Sequence, residues 1–308
     1  MSGLKKYMKF SISVLLSVLI LYFLYRKIDY YQFARIMSQI NLTWFSVYLL
    51  LFFPQLLIAC YRWNFLTNRI GKKQYSYYQS VQQVVGSYSA NLIIPAKMGE
   101  FVRLLWLRKT DFKIPLLGLI LVEKLWDVIS LVLIAFVSFI LLAVTNPDFR
   151  IPWLVFSGLL ISGIIFLLLF KNFFLKKRSN IKSEKIKSFL VTFDLLWNNY
   201  RKELFRAFMI SILLWIIQIT QFYFIFLSLN TFIPLPYLFA GSSLAVLAGA
   251  IIFSIGGIGP RDAVIVWFFS SFAVSEILVS AGILSVLRII IPALAGLPFF
   301  FNLTRKSF

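Results

Sequence analysis

Two long apolar stretches of this sequence are interrupted in the same chemical way. The first reads Asn91-Leu-Ile-Ile-Pro95-Ala-Lys97-Met-Gly99-Glu100-Phe-Val-Arg103, the second Ser254-Ile-Gly256-Gly257-Ile-Gly259-Pro260-Arg261-Asp262. Each runs into a glycine/proline break and then sets an acid and an arginine where a new helix should begin. Within lipid, open backbone and charge persist only where protein or a watery cavity satisfies them. Paired interruptions in corresponding halves of a membrane protein point to a binding site at the bilayer midplane. The chain therefore reads as a membrane protein that handles something polar or charged.

The apolar content supports that class. At 60% hydrophobic residues and a mean hydropathy of +0.87, the chain lies well above the roughly 45–50% apolar content of soluble domains. Its 308 residues form one integral membrane domain, with no segment polar enough for a soluble catalytic unit. Lys5, Lys6 and Lys9 precede an apolar run, but Leu-Tyr-Phe-Leu-Tyr-Arg is no small-residue cleavage site, so the run reads as a retained first helix. There is no histidine and one cysteine, Cys60. Imidazole relays, Ser-His and Cys-His pairs, His-based metal sites and an intrachain disulfide are excluded, and no cofactor is expected.

Apolar runs near the roughly 20-residue spanning length are Phe10–Tyr25, Leu42–Tyr61, Ile114–Val144, Pro152–Phe170, Leu204–Leu229 and Ile277–Phe301. The broken segments, Tyr77–Arg108 and Pro236–Phe272, lie between them. The expected fold is all-α and polytopic, with about six full spans and two broken, re-entrant helical hairpins. The formal net charge of +20 is assigned to cytoplasmic loops rather than to nucleic-acid binding. The loop 171–206 is strongly basic, and the Arg62–Lys73 and Arg305–Lys306 regions agree with it, which puts both termini in the cytoplasm of a prokaryotic inner membrane. Parity then gives the two broken segments opposite orientations. That suggests an inverted repeat with halves of about 42–145 and 204–302.

The charges inside apolar runs are the candidate site. Glu100 and Arg103 share a helix face by i,i+3 spacing, and Glu123 and Asp127 by i,i+4. Arg261 and Asp262 open the helix after the second break. Arg288 sits near the middle of the last span, where a buried arginine costs about 2.5–3.5 kcal/mol on insertion scales. It needs an acid, an anionic ligand or water. Helix N-termini suit phosphate or carboxylate, and Gly99, Gly257 and Gly259 allow close backbone approach. Asn91 and neighbouring serines add neutral polar groups.

Five segments carry a resemblance. They are Tyr61-Arg62-Trp63, Pro95-Ala-Lys97-Met-Gly99-Glu100-Phe-Val-Arg103, Glu123-Lys-Leu-Trp-Asp127, Gly256-Gly257-Ile-Gly259-Pro-Arg261-Asp262, and Leu287-Arg288 through Pro292. In this order they resemble the lysylphosphatidylglycerol synthase transmembrane family, the flippase-like domain of the multiple peptide resistance factor. The resemblance implies re-entrant helices and movement of lipids, aminoacylated phosphatidylglycerol foremost, between leaflets. It adds Arg62 and Lys97 to the candidate residues. Stand-alone relatives are also tied to glycan-lipid and hopanoid pathways. No aminoacyl-transferase domain is expected here, and the acid after the second break sits in a shifted register behind Pro260. The expected activity is a lipid translocase, not an enzyme. A polyprenyl-phosphate-dependent glycosyltransferase and a carrier of a soluble anion stay open as alternatives. Expected partners are membrane lipids (anionic or aminoacylated phospholipid, or glycolipid), with no nucleic acid. A homodimer and a separate lipid-modifying enzyme stay open.

Overall fold

Helices account for all regular structure among the described residues. The computed structural model describes residues 19–23, 25–26, 28–70, 75–93, 98–106, 113–149, 196–250 and 257–305. The helices are α1 (Tyr30–Ser38), α2 (Leu42–Leu50), α3 (Phe52–Arg69), α4 (Tyr77–Ile93), α5 (Arg103–Trp106), α6 (Lys113–Thr145), α7 (Arg201–Ser228), α8 (Leu235–Ala250), α9 (Pro260–Phe268) and α10 (Ser275–Arg305). The protein is a polytopic helical membrane protein. Four of the expected spans are present: Leu42–Arg69, Leu117–Thr145, Arg201–Ser228 and Ser275–Asn302, of 28, 29, 28 and 28 residues. At 1.5 Å per residue each is about 42 Å long, more than a hydrocarbon core of about 30 Å requires. The expected span Pro152–Phe170 lies outside the described residues, as does most of Phe10–Tyr25.

The sequence accounts for the details of these spans. Asn41 caps α2 by accepting from the Thr43 and Trp44 amides. Pro54 has no amide for the Leu50 carbonyl, so the first described span divides at Leu51 into α2 and α3. On α6, Leu133, Val137, Leu141 and Val144 recur at helical spacing and are exposed, which marks a lipid-facing stripe. The opposite side of α6 is buried through Leu119, Ile120, Leu131 and Ala135.

Both broken segments fold back on themselves. In the first, α4 runs 17 residues, and a 3₁₀ turn over Met98–Val102 then leads into α5. A side chain at Gly99 would fall on the Asn91 backbone nitrogen and within 2.6 Å of Asn91 Oδ1. The returning limb therefore lies directly on the end of α4. In the second, Gly249 of α8 faces Gly257, while Gly241 faces Phe268 and Phe269. That pairing makes α8 and α9 an antiparallel hairpin. Gly257 and Gly259 carry φ of +81° and +97°, a region that favours glycine. The tip residues 94–97 and 251–256, including the candidate Lys97 and the quoted Ser254 and Gly256, lie outside the described residues.

Each hairpin packs along the span that follows the other hairpin. The first hairpin's α4 lies against α10, and the second hairpin's α8 lies against α6. At the first of these interfaces Ser89 Oγ donates to the Ala293 carbonyl at 2.5 Å. Gly296 there packs directly on the Val85 carbonyl and Ser89. Small residues permit this backbone approach where lipid offers no hydrophobic drive between helices. Helix α7 contacts both α2 and α3. Tyr48 of α2 donates its hydroxyl proton to the Leu284 carbonyl of α10 at 2.9 Å.

Candidate functional site

The interior of this bundle holds a cavity of about 170 Å³ lined by residues from α3, α4, α6, α7, α8 and α10 and from both hairpins. Nine candidate residues line it: Arg62, Asn91, Glu100, Arg103, Glu123, Asp127, Gly257, Arg261 and Arg288. Of the other four, Asp262 stands behind Arg261, Gly99 and Gly259 shape the hairpin turns, and Lys97 is outside the described residues. The role expected for Gly99 changes accordingly. Its missing side chain makes room for Asn91, not for a ligand.

One wall is a closed ring of six alternating charges. Arg62 of α3 pairs with Glu123 at 2.6 Å, and Glu123 pairs with Arg103 at 2.7 Å. Arg103 reaches Glu100 at 3.6 Å, and Glu100 holds Lys124. Lys124 lies 3.9 Å from Asp127, and Asp127 returns to Arg62 at 2.5 Å. Every carboxylate in the ring is held by two cations. Neutral groups complete it. Ser211 accepts from Arg62 at 2.7 Å, the Trp215 indole donates to Asp127 at 3.2 Å, and Ser87 accepts from Arg103 at 3.2 Å. The Arg103 guanidinium also lies 4.7 Å from the centroid of the Trp63 ring. The ring fastens α3, α6 and the returning limb of the first hairpin together, with α7 supplying Ser211 and Trp215.

Buried ion pairs repay their desolvation only when geometry and hydrogen bonding are nearly complete. Glu123 is 2% exposed and Arg103 2% exposed, and both meet that condition. With three cations and three carboxylates the ring is neutral. It has no free carboxylate to offer a cationic guest.

The rest of the charged lining differs. Asp262, at the third position of α9, accepts from the Gly259 amide at 3.1 Å and fixes the helix start. It also accepts from Arg261 Nε and Nη2 at 3.0 and 2.8 Å. Nη2 of Arg261 donates again to the Gly282 carbonyl at 3.2 Å. Yet Nη1 of Arg261 is buried without a partner among the described residues. Arg288 is less satisfied. Its guanidinium lies 4.7 Å from the Phe222 ring centroid, while Nε and Nη1 are buried with no hydrogen-bond partner among the described residues. Native structures rarely leave buried donors in this state. The amide oxygens of Gln55 and Asn91, both on cavity-lining residues, are buried and unpartnered as well.

A second hollow adjoins these residues. It is a groove of about 580 Å³ lined by Leu21, Tyr22, Tyr25, Ile258, Asp262, Ile283, Val286, Leu287 and Ile290. Asp262 is its one charged lining residue among those described. Groove and cavity are lined by two pairs of chain neighbours. Arg261 faces the cavity and Asp262 the groove; Arg288 faces the cavity and Leu287 the groove.

Sequence reading missed Gln55, Tyr88, Ser211, Trp215 and Gln218, and it named Lys124 without placing it in the site. One signal was available: Ser211, Trp215 and Gln218 fall at i, i+4 and i+7 of α7 and form a polar seam within its long apolar stretch.

Comparison with known proteins agrees with this architecture. The family described as the lysylphosphatidylglycerol synthase TM region matches residues 10–296. A UPF0104 membrane protein of Methanocaldococcus jannaschii is 27% identical over 143 residues, which cover 46% of this chain and 61% of that protein.

Proposed function

The chain belongs to the lysylphosphatidylglycerol synthase transmembrane family, and from that premise we propose that it is a lipid translocase of the prokaryotic cytoplasmic membrane. It carries the polar headgroup of a phospholipid or lipid-linked compound between leaflets while the hydrocarbon chains stay in an apolar environment. The observation that carries this reading is the pair of neighbouring hollows. A cavity with unsatisfied guanidinium donors and an apolar groove take neighbouring residues of the chain into their linings, Arg261 with Asp262 and Arg288 with Leu287. A ligand with a charged end and a hydrocarbon end matches that layout, and a soluble anion would use half of it.

The energetic role of the site follows from its charges. A phosphate group crossing the hydrocarbon core alone faces a desolvation cost of tens of kcal/mol on idealised Born estimates. Arg261 and Arg288 replace lost water with pre-oriented donors. The neutral ring at Arg62, Arg103, Lys124, Glu100, Glu123 and Asp127 holds the first hairpin in place, and Asn91 and Gln55 add acceptors. Halves of about 42–145 and 204–302 act as inverted repeats in this reading. Each runs long helix, hairpin, span, and the hairpins exchange partners across the molecule. Rocking of one half against the other would open the cavity to alternate sides. The basic residues of the 171–206 loop favour a cytoplasmic side for both termini in this reading.

A glycosyl-transfer reading requires a carboxylate free to act as base. The four carboxylates at the site are each held by a guanidinium or an ammonium, which favours translocation over transfer. The test is native mass spectrometry of protein extracted gently from its host membrane, with Arg288→Ala in parallel. A phospholipid or lipid-linked species that co-purifies with the wild type and is absent from the variant is expected. Absence of lipid from both, with stabilisation by a soluble anion instead, would overturn the reading.

A further inference from the structure

We infer that the headgroup taken by this site is a phosphate ester on a neutral, hydroxyl-bearing group, and that a headgroup bearing an ammonium group is excluded. This rests on the reading of the chain as a lipid translocase and narrows its substrate class. Among the described residues five cations line the cavity, Arg62, Arg103, Lys124, Arg261 and Arg288, against the three carboxylates Glu100, Glu123 and Asp127. Asp262, behind Arg261, makes a fourth. One positive charge remains, and geometry locates it. The ring is closed on itself and Arg261 is paired with Asp262, so the excess resides on Arg288.

A monoanionic phosphodiester neutralises that excess. It also supplies acceptors for Nε and Nη1 of Arg288 and for Nη1 of Arg261, three donors that lack them. Arg261 is 2% exposed, so its free donor is part of a formed interior site and not a solvated surface group. The amide oxygens of Gln55 and Asn91 are acceptors without donors. Hydroxyl groups of a glycerol or sugar head would supply them. An ammonium group could donate to those oxygens but finds no counter-ion. Glu100, Glu123 and Asp127 each have two cations already, so an amine would have to break the ring to be neutralised, leaving a buried guanidinium or ammonium uncompensated.

The experiment is a thermal-unfolding titration of delipidated protein in detergent with four additives: inorganic phosphate, short-chain phosphatidylglycerol, short-chain lysyl-phosphatidylglycerol and short-chain phosphatidylcholine. Wild type, Arg288→Gln and Arg288→Lys are compared. Arg288 pairs with no carboxylate among the described residues, so Arg288→Gln strands none of them and should fold. Phosphatidylglycerol should stabilise the wild type with an apparent affinity at least about tenfold tighter than the lysylated and choline lipids. Arg288→Gln should lose that preference, and Arg288→Lys should retain part of it. Lysyl-phosphatidylglycerol binding as well as phosphatidylglycerol would overturn the inference, as would wild-type affinity in Arg288→Gln. So would no response to any phosphate compound. If inorganic phosphate stabilises as strongly as the lipid and Arg288→Gln abolishes the effect, the anion site stands and the lipid reading falls.

Discussion

Glu123 and Arg288 are both charged residues inside helices of a membrane protein, yet the structure gives them opposite energetics. Glu123 is gripped by Arg62 and Arg103. Removing it leaves Arg62 with Asp127 alone and Arg103 with only the 3.6 Å contact to Glu100, and the buried ring one carboxylate short, so Glu123→Ala should lower stability by about 3–5 kcal/mol. The fall should appear as a clear drop in thermal midpoint in detergent, and a variant as stable as the wild type would contradict the ring as a structural element. Arg288 has no carboxylate partner to strand among the described residues. An uncompensated buried charge is itself costly, so Arg288→Met should be as stable as the lipid-free wild type or more so. A drop comparable to that of Glu123→Ala would show that Arg288 is a structural partner instead. The sequence made these charges visible because each interrupts an apolar run. Their pairing was not visible. Arg62 meets acids 61 and 65 positions away, distances set by helix packing and not by local spacing. Ser211 and Gln218 stayed hidden because one neutral polar group in an apolar helix raises little signal on its own.

Among the elements, the described spans were legible to within a few residues except at one end. Arg62 reads as the close of the second apolar run, since charge commonly marks an interface, but α3 continues to Arg69. The reason is that Arg62 is neutralised inside the bundle by Glu123 and Asp127 and does not need headgroups or water. The hairpins were legible from their glycine and proline breaks. Their closeness was not, because it depends on which backbone each glycine faces. Gly296 illustrates this: an added methyl would land on the Val85 carbonyl between α4 and α10. Gly296→Ala should therefore cost about 1–3 kcal/mol, the usual range for overpacking a filled interior, with a matching fall in thermal midpoint. Unchanged stability would mean that α4 and α10 are not in close backbone contact.

At the scale of the whole molecule, the chain is a set of lipid-facing helices wrapped around a charged interior, a layout that apolar content and intramembrane charge together demand. Its orientation can be tested directly. With Cys60 replaced by alanine, Phe232→Cys, on the exposed turn between α7 and α8, should react with a membrane-impermeant maleimide on intact cells. Arg201→Cys, at the opposite end of α7, should react only after permeabilisation, and the reverse pattern would invert the proposed topology. The central claim is that a lipid headgroup passes through the cavity at Arg261 and Arg288, and transbilayer exchange in reconstituted vesicles tests it most directly. Fluorescent phosphatidylglycerol in the inner leaflet should become accessible to an external quencher faster in vesicles containing the wild type than in empty ones. Arg288→Glu, inserted to the same level, should show only the rate of empty vesicles. Wild-type exchange in Arg288→Glu, or no exchange above background in the wild type, would contradict the account.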